Sequence, residues 1–439
     1  MKKICLLFVL LCNALNLNAQ NFNQLDELLT VLETNNKLMG AMTITKGGVE
    51  VYNKAVGYAD VDGKIKNATE TKFRIGSITK AFTAVMIFQL VDEGKLTLGT
   101  PLSQFYPKIP NASNITIAQM LSHSSGLFNI TNDPKFGDWM LEKSTKQQML
   151  SRIKAYELDF TPGEDIAYSN TNYLLLGYIA EDLDKKNYAE ILKARITDKI
   201  GLKSTYYGGK IDVESNESQS YTIALNYWLK QQETDMSNPG GAGAIVSTSK
   251  DLTQFMNALF TGKLMSTSSF EDMKKTDNND VCHGLFYANV NGLDVYASEG
   301  GIDGFQSVLV HIPDMQTTIA LVANGLDYRK IDIMMSAFRV SAGQPITIPV
   351  FTEIELTEQQ VEQYEGEYAS EEVEYKLIFK ANGTILMGAP EQSNLKELTP
   401  TKQHQFTFDT LGIVLDFYPG IGAVKFTKGD DKPIMFKKQ

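Results

Sequence analysis

The chain has 439 residues, 43% of them hydrophobic and 21% charged, with a formal net charge of -11. That acidic balance argues against nucleic acid or an anionic lipid surface as partner, and the length suffices for a large domain plus a small one. Four histidines (His123, His283, His311, His404) stand in no His-Glu-x-x-His arrangement and the three cysteines form no Cys-x-x-Cys, so no metal site and no cofactor is expected.

Residues 1–20, MKKICLLFVLLCNALNLNAQ, join two lysines to a short apolar run and end near a small residue, Ala19. This reads as an export signal, placing the mature chain in the periplasm or outside the cell. Lipidation at Cys12 is the competing reading, but Leu10-Leu11 before it lacks the small residue such a site wants. Cleavage takes the net charge to -13 and leaves Cys282 as the one cysteine, so no internal disulfide is expected. No other run reaches the roughly 18 apolar residues of a spanning helix.

From Phe22 to about Gln344 helical periods mix with short β-rich runs. Leu25 to Leu38 reads as an amphipathic helix, and Gly40–Thr45 and Val49–Tyr52 as a hairpin turned at Gly47-Gly48. Further helices are expected after Ser77, at Thr116–Leu121, at Thr171–Leu183, and at Leu252–Phe260 with Ser249 as cap. Strands at Ser307–His311 and Thr317–Val322 meet at Pro313-Asp314. The expected fold is α/β of the α+β kind, an antiparallel sheet with flanking helices and a helical lobe, over residues 22–344. Pro345 and Pro349 mark a linker. Over 352–439, Tyr375–Phe379, Thr384–Met387, Gln405–Phe408, Ile413–Phe417 and Ala423–Phe426 alternate at period two, predicting a small antiparallel β-barrel.

Ser77-Ile-Thr-Lys80 sets a hydroxyl and an amine about one helical turn apart, close enough for the amine to take the hydroxyl proton. The spacing recurs at Ser151/Lys154, Ser247/Lys250 and Ser393/Lys396, so context must select. Ser151 lies on a polar helix face, Ser247 in a helix-capping loop and Ser393 in the β-domain, whereas Ser77 leads into Ala81-Phe-Thr-Ala-Val-Met-Ile-Phe88, apolar on nearly every side. Burial there would strip Lys80 of water and lower its pKa. The alternative is a capping serine and a lysine that snorkels to water. Downstream, Tyr168-Ser-Asn170 sets a phenol and an amide two residues apart, able to face one cleft; Tyr168 as packing and Asn170 as a helix cap is the plainer reading.

Together with Leu121-Ser-His-Ser-Ser-Gly-Leu127, Leu174-Leu-Leu-Gly177, Gly241–Leu252 and Gly300-Gly-Ile-Asp-Gly-Phe305, these motifs make the chain from Phe22 to Ser341 resemble the serine β-lactamase-like hydrolases, a family that includes class C β-lactamases, D-Ala-D-Ala carboxypeptidases and related esterases. The resemblance implies Ser77 as nucleophile of an acyl-enzyme, Lys80 and Tyr168 as base and acid, and Asn170 as a support for substrate or Lys80. It further implies an oxyanion held by the N–H groups of Ser77 and Gly301, with His123 structural. The family's third element, Lys or His, any residue, then Gly, reads Ser298-Glu299-Gly300 here, which weakens any claim to substrates that present a carboxylate at that point. Arg329 or Lys330 could supply the missing charge, though a solvated loop is the simpler account. The expected partner is a small-molecule or peptide substrate, including a cell-wall peptide. The competing expectation is a catalytically lapsed relative that binds peptidoglycan peptides or a protein.

Overall fold

The computed structural model describes residues 22–439 apart from 225–226, 277–280, 291 and 430; the expected export signal lies outside the described residues. Leu25, Leu28, Leu29 and Leu32 form the buried face of helix α1, Asn23–Thr34. Apolar spacing continues to Leu38 in the sequence, yet the helix stops at Thr34. Asn36 takes a left-handed backbone (φ 55°), and Leu38 opens strand β1, Leu38–Lys46. Gly47 and Gly48, both at positive φ, turn β1 into β2, Val49–Val56, as the glycine pair leads one to expect.

Helix α2, Thr79–Asp92, is buried from Thr79 through Leu90 and presents no polar stripe. Thr116 caps the short helix Ile117–Leu121 in a reciprocal bond with Gln119. Helix α3 spans Asn170–Asp184 and α4 spans Ser249–Phe260. The cap of α4 is Thr248, whose Oγ1 accepts from Asp251 N at 3.1 Å; the expected cap, Ser249, is already helical and bonds Thr43 Oγ1 at 2.7 Å. Ser247 likewise belongs to a short strand, Ile245–Ser247, rather than to a capping loop.

The remaining strands of the main sheet are β3 (Phe286–Val290), β4 (Leu293–Ile302), β5 (Phe305–Ile312) and β6 (Thr317–Leu326). The order is β3-β4-β5-β6-β1-β2, every neighbouring pair antiparallel, with β1 closing on β6 through Leu38 opposite Leu326. Both faces of β1 are covered, and alternate residues choose the face. Met42 and Ile44, with Val308 and Leu321, pack under α1 and a final helix α5, Lys330–Ser341, while Ala41, Leu309 and Val322 join the helical lobe of α2, α3 and α4.

After α5 the chain passes through the Pro-containing stretch to a closed barrel of eight strands. These are β7 (Gly366–Ala369), β8 (Leu377–Asn382), β9 (Ile385–Pro390), β10 (Lys396–Lys402), β11 (Gln405–Phe408), β12 (Ile413–Tyr418), β13 (Ala423–Lys428) and β14 (Ile434–Lys438). Tyr364, Tyr368, Phe379, Phe406, Phe417 and Phe436 fill it. Among the described residues no helix is long and apolar enough to cross a membrane.

Candidate active site

Three segments far apart in sequence bring polar groups to one point. Ser77 sits in a single 3-10 turn, Gly76–Ile78, that feeds into α2. The turn is held from both sides. Ile75 N donates to Ile245 O at 3.0 Å, Ser307 Oγ donates to Ile75 O at 2.8 Å, and Thr79 Oγ1 accepts from Ile245 N at 3.1 Å. Strand β4 crosses so closely that a Cβ on Gly300 would fall inside the contact shells of Ile75 O and Ser77 N, so only glycine fits there. Gly301, next along β4, lies against Gly76 and borders the cleft in front of Ser77.

Lys80 is 4% exposed, and its Nζ lies 2.8 Å from each of Ser77 Oγ, Asn170 Oδ1 and Ala242 O. The orientation of the Asn170 amide is fixed, since its Nδ2 donates to Asn129 Oδ1 (3.3 Å) and Thr131 Oγ1 (3.1 Å). Both carbonyl oxygens at Lys80 can only accept. A neutral amine spends its two N–H groups on them, and its lone pair is left for the Ser77 hydroxyl. Burial lowers the Lys80 pKa well below that of an ordinary lysine, which favours this neutral form. The snorkelling alternative is thereby excluded.

Tyr168 reaches the same hydroxyl, with 2.6 Å between its OH and Ser77 Oγ. Its ring forms a wall of the cleft and is 43% exposed. Crowding of the hydroxyl by protein raises the phenol pKa, against a smaller lowering from the Ser77 bond, so it stays protonated and can donate. Asn170 is no cap: Ser169 precedes the first helical residue, and Asn170 turns its side chain to Lys80. His123 Nδ1 accepts from Ser169 N at 3.1 Å and its ring lies 4.6 Å from that of Tyr168. Burial, then the Lys80 charge, lowers its pKa to about 3, so it is a neutral strut.

Ser298 is 3% exposed on β4 and borders a narrow space of about 20 Å3 together with Ser77, Lys80 and Tyr168. Glu299 also borders it but extends outward to Lys330, Nζ to Oε2 2.5 Å. Arg329 covers Gly412 and Gly429 of the barrel. Neither cation faces Ser298, and Arg329 is packed rather than loosely solvated. The structure thus brings Ser77, Lys80, Tyr168, Asn170, Ser298, Gly300 and Gly301 together. Sequence reasoning missed the carbonyl of Ala242 and the Asn129–Thr131 pair behind Asn170. It also missed Arg74, which donates to Asp303 Oδ2 (2.9 Å) and Thr234 O (3.0 Å) and so ties the strand before Ser77 to the β4–β5 turn. A buried arginine three residues before the serine was the one available signal.

The family model described as Beta-lactamase matches residues 25–344. The chain is 31% identical over 303 residues to protein flp of Staphylococcus aureus (strain COL), covering 65% of this chain but only 59% of flp. A D-stereospecific amidohydrolase from Streptomyces sp. superposes with a TM-score of 0.62 at 25% identity, covering 71% of this chain and 97% of that one. An octameric penicillin-binding protein homologue from Pyrococcus abyssi superposes with a TM-score of 0.67 at 22% identity, over 95% of this chain and 100% of its own, so the fold is shared with the barrel included. A β-lactamase-like sheet and lobe, with a serine, a dry lysine and a tyrosine at their junction, accompanies that match: the chain belongs to the Beta-lactamase family.

Proposed function

We propose that this chain is an exported serine hydrolase working through an acyl-enzyme on Ser77, with residues 1–20 as its signal, 22–344 as the hydrolase domain and 352–439 as a separate barrel domain. One observation carries the reading: Lys80 Nζ, buried and held by two carbonyl acceptors, lies 2.8 Å from Ser77 Oγ, where its neutral form can take the hydroxyl proton. As Oγ attacks a substrate carbonyl carbon, its proton moves to Nζ, and the oxyanion is met by the N–H groups of Ser77 and Gly301. Tyr168 then passes a proton to the leaving oxygen or nitrogen, and water releases the acid by the reverse steps.

Substrate preference follows from charge. Among the described residues, Lys80 is the one lysine or arginine bordering either space beside Ser77, and its amine is engaged with Ser77, Asn170 and Ala242. A substrate carboxylate near Ser298 finds a hydroxyl in place of a cation, so esters and D-amino-acid amides or peptides are favoured over β-lactams. The D-stereospecific amidohydrolase of Streptomyces supports the amide reading. The altered third element also supports the competing reading, a lapsed relative that binds cell-wall peptides. A fluorophosphonate probe separates the two. Labelling of the wild type that is lost in Ser77→Ala is expected, whereas a folded wild type that takes no label sinks the hydrolase reading.

A further inference from the structure

The narrow space beside Ser77 measures about 20 Å3, room for one water molecule and for little more. Its inner wall is apolar. Cys282 and Leu285 are buried there, and Gly284, at φ 98°, lets their loop lie on α2, where a Cβ on residue 284 would strike that of Ala84. Most polar groups around the space are committed elsewhere. Lys80 holds Ser77, Asn170 and Ala242, His123 Nδ1 accepts from Ser169 N, Tyr173 donates to Leu121 O, and Glu299 reaches out to Lys330. Ser298 differs. It shares a strand face with Gly300, two residues on, where a Cβ would lie 2.9 Å from Ser77 N, so its side chain projects toward the nucleophile. The residue is 3% exposed, yet among the described residues its hydroxyl makes no hydrogen bond.

We propose that Ser298 seats the water that deacylates Ser77, its hydroxyl accepting one O–H of that water so that an oxygen lone pair is free to face the acyl carbon. A water needs two or more polar partners to stay in a space this small, and Ser298 and Tyr168, both on its border, supply them. The step balances with the groups at hand. After acylation Tyr168 is a phenolate, having protonated the leaving group, and Lys80 carries the proton of Ser77. The water oxygen bonds to the acyl carbon as its second O–H gives its proton to the phenolate; the C–Oγ bond then breaks, and Oγ takes the proton held by Lys80. A lysine or histidine at 298, being longer, would itself project into this space, so the serine that removes a cation from the cleft also leaves room for the second reactant.

The inference rests on Ser77 as nucleophile, and the test tells the two apart. With 4-nitrophenyl acetate, stopped-flow release of nitrophenol gives the acylation rate, and mass spectrometry of quenched enzyme gives the acylated fraction in the steady state. In Ser298→Ala the acylation rate is expected within about threefold of wild type while deacylation is about tenfold slower, the loss of one hydrogen bond, so acetyl-enzyme accumulates on Ser77. The wild type alone gives a second reading should the variant fold poorly. There, about 1 M methanol should divert less than about a tenth of the acetyl groups to methyl acetate, because the seat is sized for water. Slowing of both steps alike, as a structural defect would give, an unchanged deacylation rate, or methyl acetate as the main product overturns the inference while leaving the nucleophile in place. A wild type that takes no acetyl group on Ser77 overturns the hydrolase reading and the inference with it.

Discussion

At the scale of single residues, the site is a problem in proton placement. Lys80 is uncharged more readily than a surface lysine because burial penalises the ammonium, and Tyr168 is harder to ionise than a free phenol for the same reason. The two shifts run in opposite directions along the pH axis, which leaves a window in which the amine is a base and the phenol an acid. Acylation should therefore rise with pH as Lys80 loses its proton, with the midpoint below that of an ordinary lysine. His123, lowered to about 3, should add no inflection above about pH 5. Stopped-flow acylation by a nitrophenyl ester across pH checks this. Lys80→Met or Tyr168→Phe should each slow acylation by about 10²–10⁴-fold. A Lys80→Met enzyme that keeps the wild-type rate and profile would falsify the role given to the amine.

Elements explain why those residues arrive together and how much of that could be read beforehand. Helices α2 and α3 both begin at the site, with Lys80 and Asn170 in their first turns, and both end at one ionic clamp. Arg195 donates to Asp184 Oδ2 (2.5 Å) and Oδ1 (2.7 Å) and to Glu93 Oε1 (2.7 Å), so one guanidinium ties the ends of both helices together. Hydrogen bonds from Arg195 are the largest influence on both carboxyls and hold each at about 2. Folded-state values lie below unfolded ones, so the contribution is whole above about pH 5 and is lost as pH falls toward 2. Arg195→Gln should cost about 2 kcal/mol near neutrality, most of it at partly buried Asp184 rather than at exposed Glu93. It should also flatten the melting temperature between about pH 5 and 2; an unchanged acid limb by calorimetry sinks the argument. The clamp was not legible in advance, because its partners lie in loops and helix ends with no period. Ser77, Lys80, Tyr168 and Asn170 were legible because their chemistry is tied to short local spacings and to one conspicuously apolar helix. The carbonyl of Ala242 was invisible, since every residue carries one. The pairing of β1 with β6 joins positions 38 and 326, and no local pattern reports such a contact. Strands β7, β10 and β14 lack clean alternation, so the barrel was recognised from five of its eight strands.

At the scale of the whole molecule, an ion pair and hydrogen bonds link the barrel to the hydrolase part. A gap of about 750 Å3 lies between the two, bordered by polar residues such as Arg339 and Thr401 and by apolar ones such as Phe351 and Ile413. Lys37, at the turn between α1 and β1, spans one side of it, bonded to Asp327 Oδ2 (2.8 Å) after β6 and to Asp409 Oδ2 (2.9 Å) of the barrel. Thr410 Oγ1 donates to Asp327 Oδ1 at 2.6 Å, and the next residues along, Arg329 and Lys330, lie on Gly412 of the barrel and on Glu299 beside the site. Burial on its own would lower the Lys37 pKa, yet the two carboxylates outweigh it and the net shift is upward. Lys37→Met keeps the volume and removes the cation, so two largely buried carboxylates face each other unpaired. Loss of about 3 kcal/mol at neutral pH is expected, because breaking a buried pair strands its partners. Proteolysis should report the same event structurally, with cleavage in the Pro345–Pro349 stretch faster in the variant than in the wild type at neutral pH. Equal stability and equal cleavage in wild type and variant would show that the barrel is held by its other contacts, with Lys37 a bystander.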